Sequence, residues 1–342
     1  MEHTDKDPTI SPQAVLIRMA NGFWETKALQ VAAELGIADL IAETPKSADQ
    51  LSEIVEAHSD SLYRLLRALA SLGIFKEGED SRFENTALSE PLRVDVAGSV
   101  REYVINAPHD VFLLAWAKFM DVVRTGKPSF KDVNGYDQWE YFHRHPEVGE
   151  RFNKQMSART AQVASALVEA YDFSRFETLI DVGGGVGTVV AAVLNKFPNL
   201  HGCLYDQSSV IEGAKLFLDA KGVLSRCDLV PGDFFQSVPK GLDAYLMKSI
   251  LHDWQDEQAL EILKQCRAAM DVNGTLLIID AVISRDNAPH PGKWKDLMML
   301  VCYGSRERTE EEFRNLLRQS GFELKKVIAL PLPDALIEAV PV

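Results

Sequence analysis

Residues 179–187 read Leu179-Ile180-Asp181-Val182-Gly183-Gly184-Gly185-Val186-Gly187, and a helical run, 188–196, follows at once. An apolar strand that enters a glycine turn and then a helix brings bare backbone close to whatever lies at the carboxyl edge of a parallel sheet. Read as the dinucleotide fingerprint G-x-G-x-x-G, the third glycine position falls on Thr188. The spacing D-x-G-x-G-x-G fits instead, through Asp181, Gly183, Gly185 and Gly187. A glycine run alone is weak evidence, so the flanking sequence decides its meaning.

Around this loop, short apolar segments at 178–182, 200–205, 227–231, 244–248, 275–280, 322–329 and 335–340 alternate with helical stretches. The alternation implies an α/β fold, a Rossmann-like doubly wound and largely parallel sheet. The first hundred residues read differently. Residues 28–41 are apolar at Leu29, Val31, Ala32, Leu35, Ile37 and Leu40, and Pro45 cannot continue that helix. Ser47 is placed to cap a helix over 48–55, and Ser59 or Asp60 one over 61–72 that ends at Gly73. Strand-like 74–76, a polar turn 77–81 and strand-like 82–84 complete a winged-helix pattern. The expected domains are therefore a winged-helix domain over 1–100, an aromatic-rich helical connector over 101–170 that shapes a substrate pocket, and the sheet domain over 171–342.

A chain of 342 residues exceeds the ~250–300 at which a single core stops growing, consistent with more than one domain. A winged helix invites a DNA-binding reading through Arg64 and Arg67. Residues 1–100 hold nine Lys or Arg against seventeen Asp or Glu, and the whole chain carries a net charge of -14. Both have the wrong sign for binding nucleic acid. The apolar series Leu62, Tyr63, Leu65, Leu66, Leu69 and Leu72 serves either core packing or self-association into a homodimer. Cys203, Cys227, Cys266 and Cys302 form no C-x-x-C pair, which fits free thiols in a reducing compartment. With no basic leader before an apolar stretch, and no apolar run near the ~18 residues of a membrane span, the expected setting is the cytoplasm, away from membranes.

Acids recur where the sheet's strands should end. Asp206 lies 23 residues after Gly183, where a carboxylate can accept both hydroxyls of a ribose. Gly232-Asp233-Phe234 follows the third strand and offers an acceptor for an adenine amino group and a ring for its face. Each acid alone is as readily a loop cap. Three at successive strand ends point to an adenosine-type cofactor, and the glycine spacing resembles the variant associated with S-adenosylmethionine more than one built for a nicotinamide.

The fourth strand runs into Ser249-Ile250-Leu251-His252-Asp253-Trp254-Gln255-Asp256, with a helix beginning near Asp256. His252 thus falls on a loop at the same sheet edge as the acids, where a general base belongs. Asp280, at the end of the fifth strand, and Glu307, between Arg306 and Arg308, are placed to orient an imidazole and stabilise its protonated form. For Glu307 the competing reading is an ion pair with either neighbouring arginine. Thr309 with Glu312 reads as a capping box.

Asp181 to Gly187, Asp206, Gly232-Asp233-Phe234, Lys248, the run His252 to Asp256, Asp296-Leu297-Met298-Met299 and Arg306-Glu307-Arg308-Thr309 resemble the S-adenosylmethionine-dependent O-methyltransferases of the caffeate, hydroxyindole and polyketide-tailoring type. The resemblance spans essentially the whole chain. It implies that Asp181, Gly183, Gly185, Asp206, Asp233, Phe234 and Lys248 hold the cofactor, that His252 is the base, and that Asp280 and Glu307 support it. It further implies a metal-free reaction, a homodimer formed by the N-terminal helices, and a small aromatic hydroxyl-bearing acceptor held by Met156, Met299 and Asp253. Asp280 stands where many plant relatives have glutamate, which puts direct contact with His252 in question. Alternative readings are a family member that retains S-adenosylmethionine for a rearrangement or elimination, a ligand-responsive winged-helix regulator, and a metal-dependent catechol methyltransferase.

Overall fold

The computed structural model describes residues 11–342, and the expectation about the opening residues falls outside them. The chain divides into two compact units, one reaching to Leu113 and including His145–Gln155, the other Leu114–Arg144 with Met156–Val342. The segment 101–170 is thus shared between them.

In the first unit Ser47 caps the helix Ala48–Ile54 as expected, in a reciprocal box with Gln50. The next helix, Ser59–Ser71, is capped by the His58 side chain rather than by Ser59 or Asp60. The apolar run 28–41 is not one helix either. It divides into Gly22–Glu34 and Ile37–Leu40, because Gly36 takes a left-handed φ of 66° that ends the first. Strands β1 (Lys46–Ser47), β2 (Phe75–Glu77) and β3 (Arg82–Asn85) form a three-stranded wing in the order β1-β3-β2. Leu51, Leu62, Leu66, Leu69, Phe75 and Phe83 are buried beneath it.

The second unit is built on strands β4 (Thr178–Val182), β5 (His201–Asp206), β6 (Cys227–Pro231), β7 (Ala244–Lys248), β8 (Thr275–Ile283), β10 (Phe322–Ala329) and β11 (Asp334–Pro341). Their order is β10-β11-β8-β7-β4-β5-β6, and the short β9 (Arg308–Thr309) pairs with β8. Pairings from β8 through β6 are parallel, while β11 and β10 close the other edge antiparallel. Side chains alternate across this sheet as a period of two requires. Leu179, Leu204, Leu246, Leu277 and Ile279 enter the core under helices Thr188–Lys196 and Ser208–Ala220. Ile180, Tyr205, Tyr245, Met247, Leu276 and Ile278 enter the opposite core, under Asp256–Ala269 and Glu310–Gln319. Both faces are covered, which explains why the strands read as continuous apolar runs. The expected fold class is the observed one.

Candidate active site

Beyond β4 the chain turns sharply through Gly183, Gly185 and Gly187, all with positive φ, before helix Thr188–Lys196 begins. At Gly183 the φ of 69° favours glycine, and a side chain there would also displace Ile250, whose Cδ1 lies 2.5 Å from the Cβ position. Gly185 has no neighbour within 4 Å of its missing Cβ, so the turn presents bare backbone to open space. Asp206, at the end of β5, accepts the Gly185 N–H at 2.8 Å on Oδ2 and the Gln207 N–H at 2.7 Å on Oδ1. Each oxygen keeps a further lone pair for a hydroxyl. Asp233 accepts the Phe235 N–H at 2.9 Å. The Phe234 ring stands over the glycine turn, 3.5 Å from where a Gly183 Cβ would lie, and packs edge-on against Trp254. Asp181 is buried beneath the turn, with Oδ2 taking the Val190 N–H at 3.3 Å and Oδ1 unpartnered. Burial lifts its carboxyl to about 7. Lys248, at the end of β7, donates to Ser249 Oγ at 3.0 Å, and burial lowers its pKa.

His252 lies in a short 3-10 turn, Leu251–Asp253, and is buried. Its Nδ1 is 2.9 Å from Glu307 Oε1 and 3.1 Å from Lys295 Nζ, and Lys295 Nζ is 2.6 Å from the same Glu307 oxygen. On the other side of the ring, Nε2 is 3.4 Å from Asp253 Oδ1. Asp280 is fully buried with neither carboxylate oxygen hydrogen-bonded, although His252, Asp280 and Glu307 bring donor atoms within 4.8 Å of one another. Asp280 therefore acts on His252 through its field and not through a hydrogen bond. Burial and Lys295 oppose charging the imidazole, but Asp253, Asp280 and Glu307 outweigh them and raise its pKa above the ordinary value. Burial raises Asp280 to about 6. Burial also works against an ionised Glu307, yet its bonds to His252 and Lys295 hold its carboxyl well below the usual range.

The rest of the cluster is held by residues to which the sequence assigned no role there. Asp296 Oδ1 accepts the Glu307 N–H at 2.8 Å. Arg308, 1% exposed, donates to the carbonyls of Leu251 at 2.7 Å and Trp254 at 2.8 Å and to Asp256 at 2.9 Å, clamping both ends of the histidine turn. Glu307 pairs with neither neighbouring arginine, since Arg306 reaches Glu312 at 2.7 Å and Arg308 reaches Asp256. Thr309 and Glu312 form the expected capping box. Met299 is buried on helix Pro291–Cys302, one turn beyond Lys295, and Met156 is half-buried on helix Pro146–Ala170. A polar pair the sequence did not single out lies in the same unit: Gln138 Nε2 donates to the Tyr303 hydroxyl at 2.5 Å, with Trp139 against the Tyr303 ring. These contacts join residues far apart in the chain, so no spacing announces them.

A glycine turn, strand-end carboxylates and a buried histidine thus lie along one edge of the sheet. Residues 116–323 match the O-methyltransferase domain, and residues 17–95 match the O-methyltransferase dimerisation domain. The chain is 40% identical over 342 residues to a phenazine O-methyltransferase of Lysobacter antibioticus, covering 100% of both chains. It is 38% identical over 332 residues to the mitomycin biosynthesis 6-O-methyltransferase of Streptomyces lavendulae, covering 95% of each. The crystal structure of an O-methyltransferase from neocarzinostatin biosynthesis, in complex with S-adenosylmethionine and 2-hydroxy-5-methyl naphthoic acid, matches with a TM-score of 0.80 at 29% identity. That match covers 93% of this chain and 96% of the other. The chain belongs to the O-methyltransferase family: it is an S-adenosylmethionine-dependent enzyme of the kind that tailors secondary metabolites, and it carries the family's dimerisation domain. The open backbone at Gly185 and the amide-oriented Asp206 fit that cofactor. Among the described residues no helix is long and apolar enough to cross a membrane.

Proposed function

We propose that this enzyme methylates a phenolic hydroxyl of a small aromatic metabolite, with His252 as general base. The observation that carries the reading is the buried His252 Nδ1 to Glu307 Oε1 pair at 2.9 Å. A carboxylate at Nδ1 accepts a hydrogen bond from Nδ1–H and leaves Nε2 free to accept a proton. S-adenosylmethionine, when bound, supplies an electrophilic methyl group on a sulfonium. Asp206 accepts the ribose hydroxyls, Asp233 the adenine amino group, and Phe234 covers the adenine face. The backbone at Gly183 and Gly185 approaches the cofactor closely, Asp181 supports the turn from beneath, and Lys248 closes the site from β7.

An ordinary phenol has a pKa near ~10, so holding it ionised at neutral pH costs about 4 kcal/mol. His252 Nε2 takes that proton as the oxygen attacks, a contribution typically of about 10² to 10⁴ in rate. Asp280 and Glu307 stabilise the resulting imidazolium. Met156 and Met299 hold the ring, and Asp253, beside Nε2, contacts the hydroxyl-bearing edge. No step in this sequence needs a metal. The neocarzinostatin relative's naphthoic acid supports a flat aromatic acceptor.

Self-association belongs to the same reading. Met19, Phe23 and Trp24 are 71%, 63% and 59% exposed on the first two helices, and the dimerisation domain begins at residue 17. A homodimer covers that surface, and four free, buried cysteines suit a reducing cytoplasm. Incubation with methyl-labelled S-adenosylmethionine and a panel of phenols tests the chemistry. Label on the acceptor oxygen supports it, whereas cofactor-dependent loss of substrate without label points to a rearrangement or elimination.

A further inference from the structure

Three carboxylates face one imidazole. Asp253 comes from the histidine's own turn, Asp280 from β8, and Glu307 from the loop before β9. Together they favour the imidazolium, which has no lone pair to accept a proton. Among the described residues, one cation stands against them at hydrogen-bonding distance. Lys295, from helix Pro291–Cys302, is 12% exposed in its side chain and closes a triangle with His252 Nδ1 and Glu307 Oε1, with edges of 2.9, 3.1 and 2.6 Å. Charges farther out face the carboxylates instead: Lys248 faces Asp253, Arg308 faces Asp280, and Asp296 faces Glu307.

Counting hydrogens in the triangle narrows its state. An ammonium only donates, and Nδ1 either donates or accepts. If Lys295 donated to Nδ1, the ring lone pair would point toward an ammonium proton and the Nδ1–Glu307 approach would have no proton in it. If Nδ1–H and Lys295 both donate to Glu307 Oε1, each close approach between an acceptor and a donor holds a proton, and Nε2 stays bare. The lysine then offsets the carboxylate that orients the ring without taking its place.

Resting on the reading of His252 as the base, we infer that Lys295 is a positioning residue that opposes protonation of His252, and so favours the form able to accept a proton, by offsetting Glu307 beside it. Opposition between Lys295 and imidazolium formation agrees in direction with the lysine's effect on the histidine. The cation has a second consequence. Once Nε2 has taken the acceptor's proton, the ring and Lys295 repel, which favours returning that proton to solvent before the next turnover.

The test is an NMR titration of the full-length protein labelled with ¹⁵N in its histidine rings, with the His252 signals identified by their absence from His252→Asn. Lys295→Met should move the His252 midpoint upward by about one pH unit or more, a tenfold change in protonation ratio. Lys295→Arg should restore it. In the wild type the neutral ring should carry its proton on Nδ1. Lys295→Gln replaces the methionine variant if that fails to fold. An unchanged midpoint in the neutral variants, or a proton on Nε2 in the wild type, overturns the inference. A failure of the base assignment reads out separately, as near-normal turnover in His252→Asn with the Lys295 shift intact.

Discussion

At the glycine turn, Asp206 is oriented by two backbone N–H groups, one from Gly185 and one from its own neighbour Gln207. Glu307, on the other side of the same sheet edge, is oriented by side chains, His252 and Lys295, that come from two other elements. The contrast extends to burial. Asp206 is half-buried and takes its partners from backbone, whereas Asp280 and Glu307 are buried with carboxylate oxygens left unpartnered. A half set by backbone tolerates changes in its surroundings. A half made of opposed buried charges has its protonation state set by every member, so single substitutions there should change pH dependence as well as rate.

Replacing His252 by Asn is the sharpest way to break the comparison. Turnover should fall by about 10² to 10⁴, while affinity for S-adenosylhomocysteine, measured by calorimetry, stays near the wild-type value because the two halves are held separately. A parallel loss of cofactor affinity would show that they are not independent. Asp206→Ala is the converse. It should weaken cofactor binding at least about tenfold, since a charged acceptor for the ribose hydroxyls is worth roughly 1.5–3 kcal/mol. Unchanged calorimetric affinity removes Asp206 from the site.

Glu307→Gln should lower the plateau rate about tenfold, as expected for loss of a charge-assisted bond. Because Glu307 raises the pKa of His252, the acid limb of kcat/KM should move to lower pH in this variant, opposite to the shift expected from Lys295→Met. Shifts of the same sign in both variants would contradict opposed charges around one ring.

The smallest effect concerns stability. The folded pKa of Asp280, about 6, lies above the ~3.9 of an exposed aspartate, so between those values the native state binds more protons than the unfolded chain. Its contribution is present at low pH and is lost as pH rises through about 6. Asp280→Asn should therefore stabilise the protein by about 1–2 kcal/mol in denaturant melts at pH 8, with the gain shrinking toward pH 4. A destabilised variant at pH 8 would mean that the charge is satisfied in the native state.

The glycine turn and the strand-end acids were legible because their signals are local. A glycine turn needs positive φ within a few residues, and a strand-end acid is located by the end of an apolar run. Strand boundaries followed for the same reason, with β4, β6, β7 and β10 falling at the expected residues. β8 runs on from the expected residue 280 to Ile283 because β9, a two-residue strand with no pattern of its own, pairs with it. In the winged-helix unit, local rules placed the Ser47 cap, but they did not separate His58 from Ser59 and Asp60 as candidates for the next one.

Sequence by itself determined the parallel sheet and the glycine turn, through local patterns, and the family, through motifs spread along the chain. Tertiary structure alone decided how His252 is held: of the two acids the sequence offered, Glu307 bonds to it across 55 residues while Asp280 makes no hydrogen bond, and Lys295 reaches it across 43. Arg308 clamps the turn, and Arg306 reaches Glu312 and not Glu307. The physical reason is that electrostatics in a buried site depends on distances and desolvation, and both are set by how separate elements pack, which no short stretch of sequence encodes.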